Sequence, residues 1–414
     1  MANRVIDGST AMSLARRLAF PRFPGGPEEG RARGLLAAAL KGLGYVTEEQ
    51  GFDYDARAAD AVRLLSPLLP FLALGLCALL SRRAPVVSWL AATAAAGAAV
   101  FFVRWPWLEG LYRGRRRHSA NLIARLPEEA RAAELAGRRD FPRVLFVAHV
   151  DSKSQRLGIV ARAILASTLL VATVAAWALL GARALGPGGP AAPLSPALLG
   201  SLAVSLACAL PLCLNVSGDL SPGALDNASG CAALVEVARA LRGGEPLPYE
   251  PVFVFTGAEE AGMVGAARLA ERLARDSRPG NILFVNLDGT GAGHGLLVLV
   301  HGPRRPETKE AVKEAAAACG VRVRFARLIP AAGVDGVPLG SRGMRGVSLL
   351  PASIGRAVLA VHRPTDRPGN LEPEAMRTAG LAAMAIAEAL AARPPGSGRM
   401  AGGLVGPSGH ACSR

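Results

Sequence analysis

Histidines and carboxylates fall in this chain where strand-like runs come to an end. VLFVA (144–148) leads into His149-Val150-Asp151, VFVFTGA (252–258) into Glu259-Glu260, NILFVNL (281–287) into Asp288, and AVLAV (357–361) into His362. A further acid, Asp226, lies in GALDNASG (223–230), a glycine-bracketed loop that opens a helical pattern. Two imidazoles among several carboxylates, with no cysteine, make an oxygen/nitrogen donor set. It suits zinc, cobalt or manganese rather than an iron–sulfur or copper centre. Each piece has an ordinary reading by itself. A His-x-Asp can close a turn, a Glu-Glu can start a solvated helix, and an Asp can cap one. Their joint occurrence at strand ends points to a metal centre.

The elements that must position these residues alternate. Strands are predicted at 144–149, 252–257, 281–288, 296–302, 346–350 and 357–362, and amphipathic helices at 230–241, 265–275, 307–320 and 374–392. Strands alternating with helices predict an α/β sheet covered on both faces. In such sheets ligands bind beyond the carboxyl ends of the strands, so four strands would deliver acids and histidines to one rim.

The chain has 414 residues, 51% hydrophobic and 19% charged, with a mean hydropathy of +0.30. Disorder over most of the chain is excluded by that hydrophobicity. Six cysteines, with Cys77, Cys208 and Cys213 inside apolar runs, exclude a disulfide scaffold. The excess apolar residues sit in four uncharged stretches: 64–81, 84–103, 163–182 and 197–216. Each is close to the roughly 20 residues that cross a bilayer. They predict two transmembrane hairpins, 64–104 and 159–216, with a lipid bilayer as partner. No signal peptide is read in the first forty residues. Three arginines (Arg82, Arg83 and Arg183) mark the hairpin tips, against ten basic residues on the opposite flanks. That bias predicts a cell-membrane protein with its catalytic part on the cytoplasmic side. The net charge of +15 also fits a membrane-facing surface. RGRRR (113–117) has only Tyr112 beside it, which argues for headgroup contact and against nucleic-acid binding.

Read in order, the motifs carry a resemblance. His-Val-Asp-Ser (149–152), Gly-Ala-Leu-Asp-Asn-Ala-Ser-Gly (223–230), Glu-Glu-Ala-Gly (259–262), Asn-Leu-Asp (286–288) and the late His362 resemble the co-catalytic dizinc aminopeptidases. This family includes bacterial leucyl aminopeptidases, aminopeptidase Y, glutamate carboxypeptidases and animal glutaminyl cyclases. The resemblance implies a zinc-exopeptidase-like α/β fold with a mixed, mostly parallel sheet flanked by helices. It implies two zinc ions, with cobalt or manganese as substitutes, and a peptide substrate. His149 and Asp288 would hold the first ion, Glu260 and His362 the second, and Asp226 would bridge them. Glu259 would act as general base, and Asp151 would orient His149 from behind.

The pattern departs from the family at Val334-Asp335-Gly336, where Ser-Asp-His or Ser-Asp-Tyr often lines the substrate pocket, so substrate choice stays open. The hairpins are the second departure. They divide the peptidase part into 1–63, 105–158 and 217–392, leaving a Gly/Pro/Ser-rich, disordered tail at 393–414. An aminopeptidase is the leading reading. A related amide hydrolase or glutaminyl cyclase, or a membrane scaffold that keeps the fold without activity, are the alternatives, and oligomeric state is not legible. Arg162 is expected to snorkel to the membrane interface, Asp366 to support the His362 loop or face solvent, and His294 and His301 to face solvent.

Overall fold

The computed structural model describes residues 4–103, 116–128, 142–186, 193–242, 246–276, 279–303, 306–327, 329 and 332–392. Most of the basic run 113–117 and the tail from Arg393 lie outside them. Asp7 starts α1 (Gly8–Leu18), its carboxylate accepting from Ser9 N (2.8 Å) and Thr10 Oγ1 (2.7 Å). There follow α2 (Pro27–Gly42), β1 (Val46–Asp55), α3 (Ala56–Leu80), α4 (Pro85–Val103), β2 (Arg116–Arg125), β3 (Arg143–His149) and β4 (Ser154–Gln155). Next come α5 (Ile159–Leu185), α6 (Pro196–Cys213), β5 (Ser217–Gly218), α7 (Gly230–Leu241), β6 (Glu250–Thr256), α8 (Val264–Asp276) and β7 (Ile282–Leu287). The chain closes with β8 (Leu296–His301), α9 (Pro306–Ala318), β9 (Val323–Ala326), α10 (Gly336–Ser341), β10 (Arg345–Pro351), α11 (Arg356–Ala360) and α12 (Pro373–Ala391).

Eight strands form one sheet in the order β1-β2-β6-β3-β7-β10-β8-β9. The central four, β6-β3-β7-β10, run parallel, while β2 and β8 join them antiparallel on either side. Sequence and structure agree on this mixed, mostly parallel sheet. β3 and β7 are apolar almost throughout because both of their faces are covered. One face packs on α1, α2, α7, α9 and α12 through residues such as Leu36, Leu234 and Met384. The other packs on α8 and α10 through Leu269, Leu273 and Leu339. The parallel run places the carboxyl ends of β3, β6 and β7 side by side.

One predicted strand is a helix. Residues 356–360 form α11, and the chain then turns at His362 with φ +61°. A short apolar run does not by itself choose between strand and helix; Ala357 and Ala360 face the core there, and Leu359 faces out.

Among the described residues, two helices, α5 and α6, are long and apolar enough to cross a membrane. α3 and α4 carry shorter apolar stretches, Leu64–Leu80 and Pro85–Gly97. The four pack together, α3 on α4 and α6, α5 on α4 and α6. Leucines and small residues share the contacts: Leu74, Leu180 and Leu198 are buried with Cys77, Ala78, Ala92 and Ala176, and the Trp89 and Trp177 rings lie 5.8 Å apart. Leucines and valines such as Leu72, Leu79, Val87 and Val171 face outward.

Beneath the β3 rim, the fully buried Arg22 guanidinium donates to Val150 O (2.7 Å), Phe20 O (2.7 Å), Pro222 O (2.7 Å), Gly223 O (3.0 Å) and Leu18 O. It joins the loop after β3 to the loop before Asp226. Gly223 has φ +57°, and a Cβ there would lie 2.5 Å from both Ser152 Cβ and Asp226 O. Arg22→Ala would take this donor from Val150 O, Phe20 O and Pro222 O, while Leu18 O and Gly223 O keep Phe20 N and Ala228 N. A buried carbonyl left unsatisfied costs roughly 1–3 kcal/mol. We expect thermal unfolding to show a loss of at least about 3 kcal/mol; a loss below about 1 kcal/mol would contradict this account.

Candidate metal centre

Asp226 occupies the middle of the site. The kinked segment 224–229 holds it in an extended conformation (φ −114°, ψ 91°) just before α7. Its Oδ1 is 3.0 Å from His149 Nε2, and its Oδ2 is 2.9 Å from His362 Nε2. Asp288, following β7, brings Oδ1 to 3.8 Å from His149 Nε2. Glu260, following β6, brings Oε1 to 2.9 Å from His362 Nε2.

Two triads result, His149-Asp226-Asp288 and Asp226-Glu260-His362, each with its donor atoms within 4.8 Å of one another. All five residues expected to hold metal therefore meet at one point, with Asp226 common to both groups. The donor set fits divalent cations. Glu260 Oε1 is buried and lacks a well-aligned hydrogen bond, although His362 Nε2 stands close by. Two donor atoms facing one ion have that relation.

Asp151 is fully buried and places its carbonyl nearer His149 than its carboxylate: Nδ1 is 3.1 Å from Asp151 O and 3.6 Å from Oδ1. The carboxylate instead accepts from Glu259 N (3.1 Å) and Glu260 N (2.9 Å). It thus fixes the Glu-Glu turn, where Ala258 has φ +53°. Glu259 is buried and stands outside both triads.

The buried acids of this site set one another's protonation. Burial raises Glu259 well above its ordinary range, opposed by His149 and reinforced by Glu260, Asp335 and Asp288. Burial would raise Glu260 too, but His362 and Lys153 outweigh it and bring it to about 2. Asp226 is held well below the usual carboxylate range, because its hydrogen bonds to His149 and His362 overcome burial. Asp288 is raised, chiefly by burial.

The sequence reading missed several contributors. Lys153 Nζ lies 2.9 Å from Glu260 Oε2. Asp335 is fully buried and accepts from Thr256 Oγ1, and burial pushes it up to about 7. His301 does not face solvent; its Nε2 lies 3.0 Å from Ser348 Oγ. Arg162 does not snorkel. It is buried, and its guanidinium donates to His362 Nδ1 at 3.0 Å across 200 positions of sequence. No local signal could have paired those two. Asp366, left open between support and solvent, is fully buried; it accepts from Leu225 N (2.8 Å) and Asp226 N (3.2 Å).

Residues 210–387 match the model of peptidase family M28, and four of the five triad residues fall within them. Over 99 residues the chain is 34% identical to endoplasmic reticulum metallopeptidase 1 of Rattus norvegicus. That match spans 23% of this chain and only 11% of the rat protein. The zinc aminopeptidase BSAP of Bacillus subtilis superposes with a TM-score of 0.54 at 14% identity, over 93% of this chain and 95% of that one. The aminopeptidase of Aneurinibacillus sp. strain AM-1 gives 0.54 at 13% identity, over 94% and 95%. A Porphyromonas gingivalis glutaminyl cyclase gives 0.50 at 15% identity, over 94% and 98%. At these identities the structural likenesses establish a shared fold.

Proposed function

We propose that this chain, a member of peptidase family M28 by its segment 210–387, is a membrane-anchored dizinc metallopeptidase that releases N-terminal residues. The observation that carries the reading is the shared carboxylate: the two oxygens of Asp226 face two different histidines, and each histidine has a second acid beside it. His149 and Asp288 would hold one ion, Glu260 and His362 the other, with Asp226 between. Two such cations would supply Lewis-acid polarisation of the scissile carbonyl and acidify a water for attack. Glu259 takes the proton from the attacking water and returns it to the leaving amine. Asp151 holds Glu259 and Glu260 through their backbone amides. Asp366 fixes Asp226 in the same way, and Lys153 and Arg162 brace the Glu260–His362 side. The charge bias of the hairpin flanks favours the cytoplasmic side for this centre.

Metal removal tests the reading. Dialysis of the purified protein against a chelator should abolish hydrolysis of peptides with a free N terminus, and two equivalents of zinc should restore it. N-terminally blocked peptides should stay intact. Cleavage of blocked peptides would favour an amide hydrolase, and cyclisation of N-terminal glutamine without release of an amino acid would favour a cyclase. The fold shared with a glutaminyl cyclase keeps that second reading in the test.

Asp366 offers a further check that leaves all the proposed ligands in place. Asp366→Ala removes both acceptors that fix the Leu225 and Asp226 amides. Outer partners of this kind typically contribute 10–100-fold to metal affinity. Calorimetric zinc titration should show a loss of about that size, and unchanged affinity would contradict the positioning role.

A further inference from the structure

The contact between Arg162 and His362 fixes how far the centre stands from the apolar helices. Arg162 directly precedes the uncharged stretch 163–182. At 1.5 Å per residue that stretch is roughly 30 Å long, the thickness of a hydrocarbon core. A histidine of the site therefore touches the last residue before the apolar stretch begins. The other end of the hairpin returns to the same level. Asn215, two residues beyond α6, accepts from Leu157 N (2.8 Å), and β4 and β5 pair just outside. Gln155 N donates to His362 O (2.8 Å), so the hairpin base holds both the ring and the backbone of that residue.

Exposed apolar side chains lie on the segments that follow α6 and flank α11. Leu214 and Leu220 follow α6 at 66% and 67% exposure; Ile354, just before α11, reaches 70%, and Leu359, within it, 51%. α11 packs on α5, and the Arg363 guanidinium lies against Gly158. Arg356, Leu359 and Arg363 line one open cavity there, an apolar and cationic combination that complements anionic headgroups.

We propose that the centre works at headgroup level, and that its substrates are polypeptides tethered in or on the bilayer within a few residues of their N terminus. This rests on the aminopeptidase reading and gives it a substrate class. A centre carried well above the membrane would require a long leash, whereas one at headgroup level accepts a short one.

The test uses that difference in reach. The full chain is placed in nanodiscs of phosphatidylcholine and phosphatidylglycerol and offered free-N-terminus peptides in three forms: untethered, or lipid-anchored at the C terminus through about five or about twenty residues. Five residues extend to roughly 17 Å and twenty to roughly 70 Å. We expect the short tether to raise kcat/KM at least about tenfold over the untethered peptide, and to be no slower than the long one. Ile354→Asp with Leu220→Asp should shrink the advantage of the short tether while leaving untethered hydrolysis unchanged, which also reports an intact fold. A short tether cleaved tenfold more slowly than the long one, or an advantage untouched by the double variant, overturns the proposal. Absence of hydrolysis of all three peptides overturns the peptidase reading itself.

Discussion

Replacing Glu259 by glutamine is expected to lower kcat by about a thousandfold, within the range that general acid–base groups supply, while zinc content stays at the wild-type value. The two effects separate because Glu259 stands outside both donor triads yet lies close enough for its charge to act on His149. Glutamine keeps the shape and cannot take up a proton. The pH profile supplies a second measurement. Only the carboxylate form of Glu259 is a base, so kcat/KM rises with pH as that group ionises. Burial first, then Glu260, Asp335 and Asp288, hold Glu259 above the ordinary carboxylate range in the ion-free protein, and each raises the limb. Bound cations would lower the limb, while its direction, a rate that rises with pH, is set by the base itself. Asp335→Asn removes one of the raising charges and should move the limb to lower pH. A limb that stays fixed in Asp335→Asn, or a Glu259→Gln variant of near wild-type rate, would remove Glu259 from the base role.

What could be read from the sequence, and what could not, follows from the range of each interaction. β3, β6 and β7 were legible because parallel strands buried on both faces leave continuous runs of Val, Leu and Phe. The acids and histidines at their ends were legible because the sheet topology brings those ends together. His362 was found by its motif although its assigned strand was wrong: α11 and a left-handed turn deliver it. Asp226 needed its glycine-bracketed loop, of whose two glycines Gly223 takes a left-handed φ of +57°. Arg162 shows the limit. Its sequence context is that of any basic residue ahead of an apolar helix, and only the tertiary fold supplies His362 as a partner. Asp335 is similar: the motif comparison marked it as a departure, yet its burial against Thr256 depends on how α10 meets the end of β6. The apolar helices were found by composition, but their arrangement with α5 rooted in the site was not.

The largest effect on metal content is expected from Asp226, and its contrast with Asp288 separates function from stability. Asp226→Ala removes a donor from both triads at once, leaving two in each. Zinc per chain should fall from two to below one, whereas Asp288→Asn should cost only the ion beside His149. The ion-free proteins should differ in the opposite sense. Asp226 is held well below its ordinary range by His149 and His362. A depressed acid adds stability above its unfolded pKa and loses it as pH falls through the folded one, so at pH 7 its contribution is fully present. Breaking this buried cluster by removing Asp226 should cost about 3 kcal/mol or more. Asp288 is raised, mainly by burial, with Asp226 and Glu260 adding repulsion that the contact with His149 only partly offsets. A raised acid loses stability as pH climbs from its unfolded pKa through its folded one, so neutralising it should leave the ion-free protein at pH 7 equally or more stable. Thermal unfolding in chelator, compared for the two variants, checks both signs. If Asp288→Asn destabilised the ion-free protein as much as Asp226→Ala, the carboxylates would share one structural role and the division between a bridging and a terminal ligand would fail. The opposite outcome would mean that Asp288 is kept at a cost in stability, as residues held for binding an ion are.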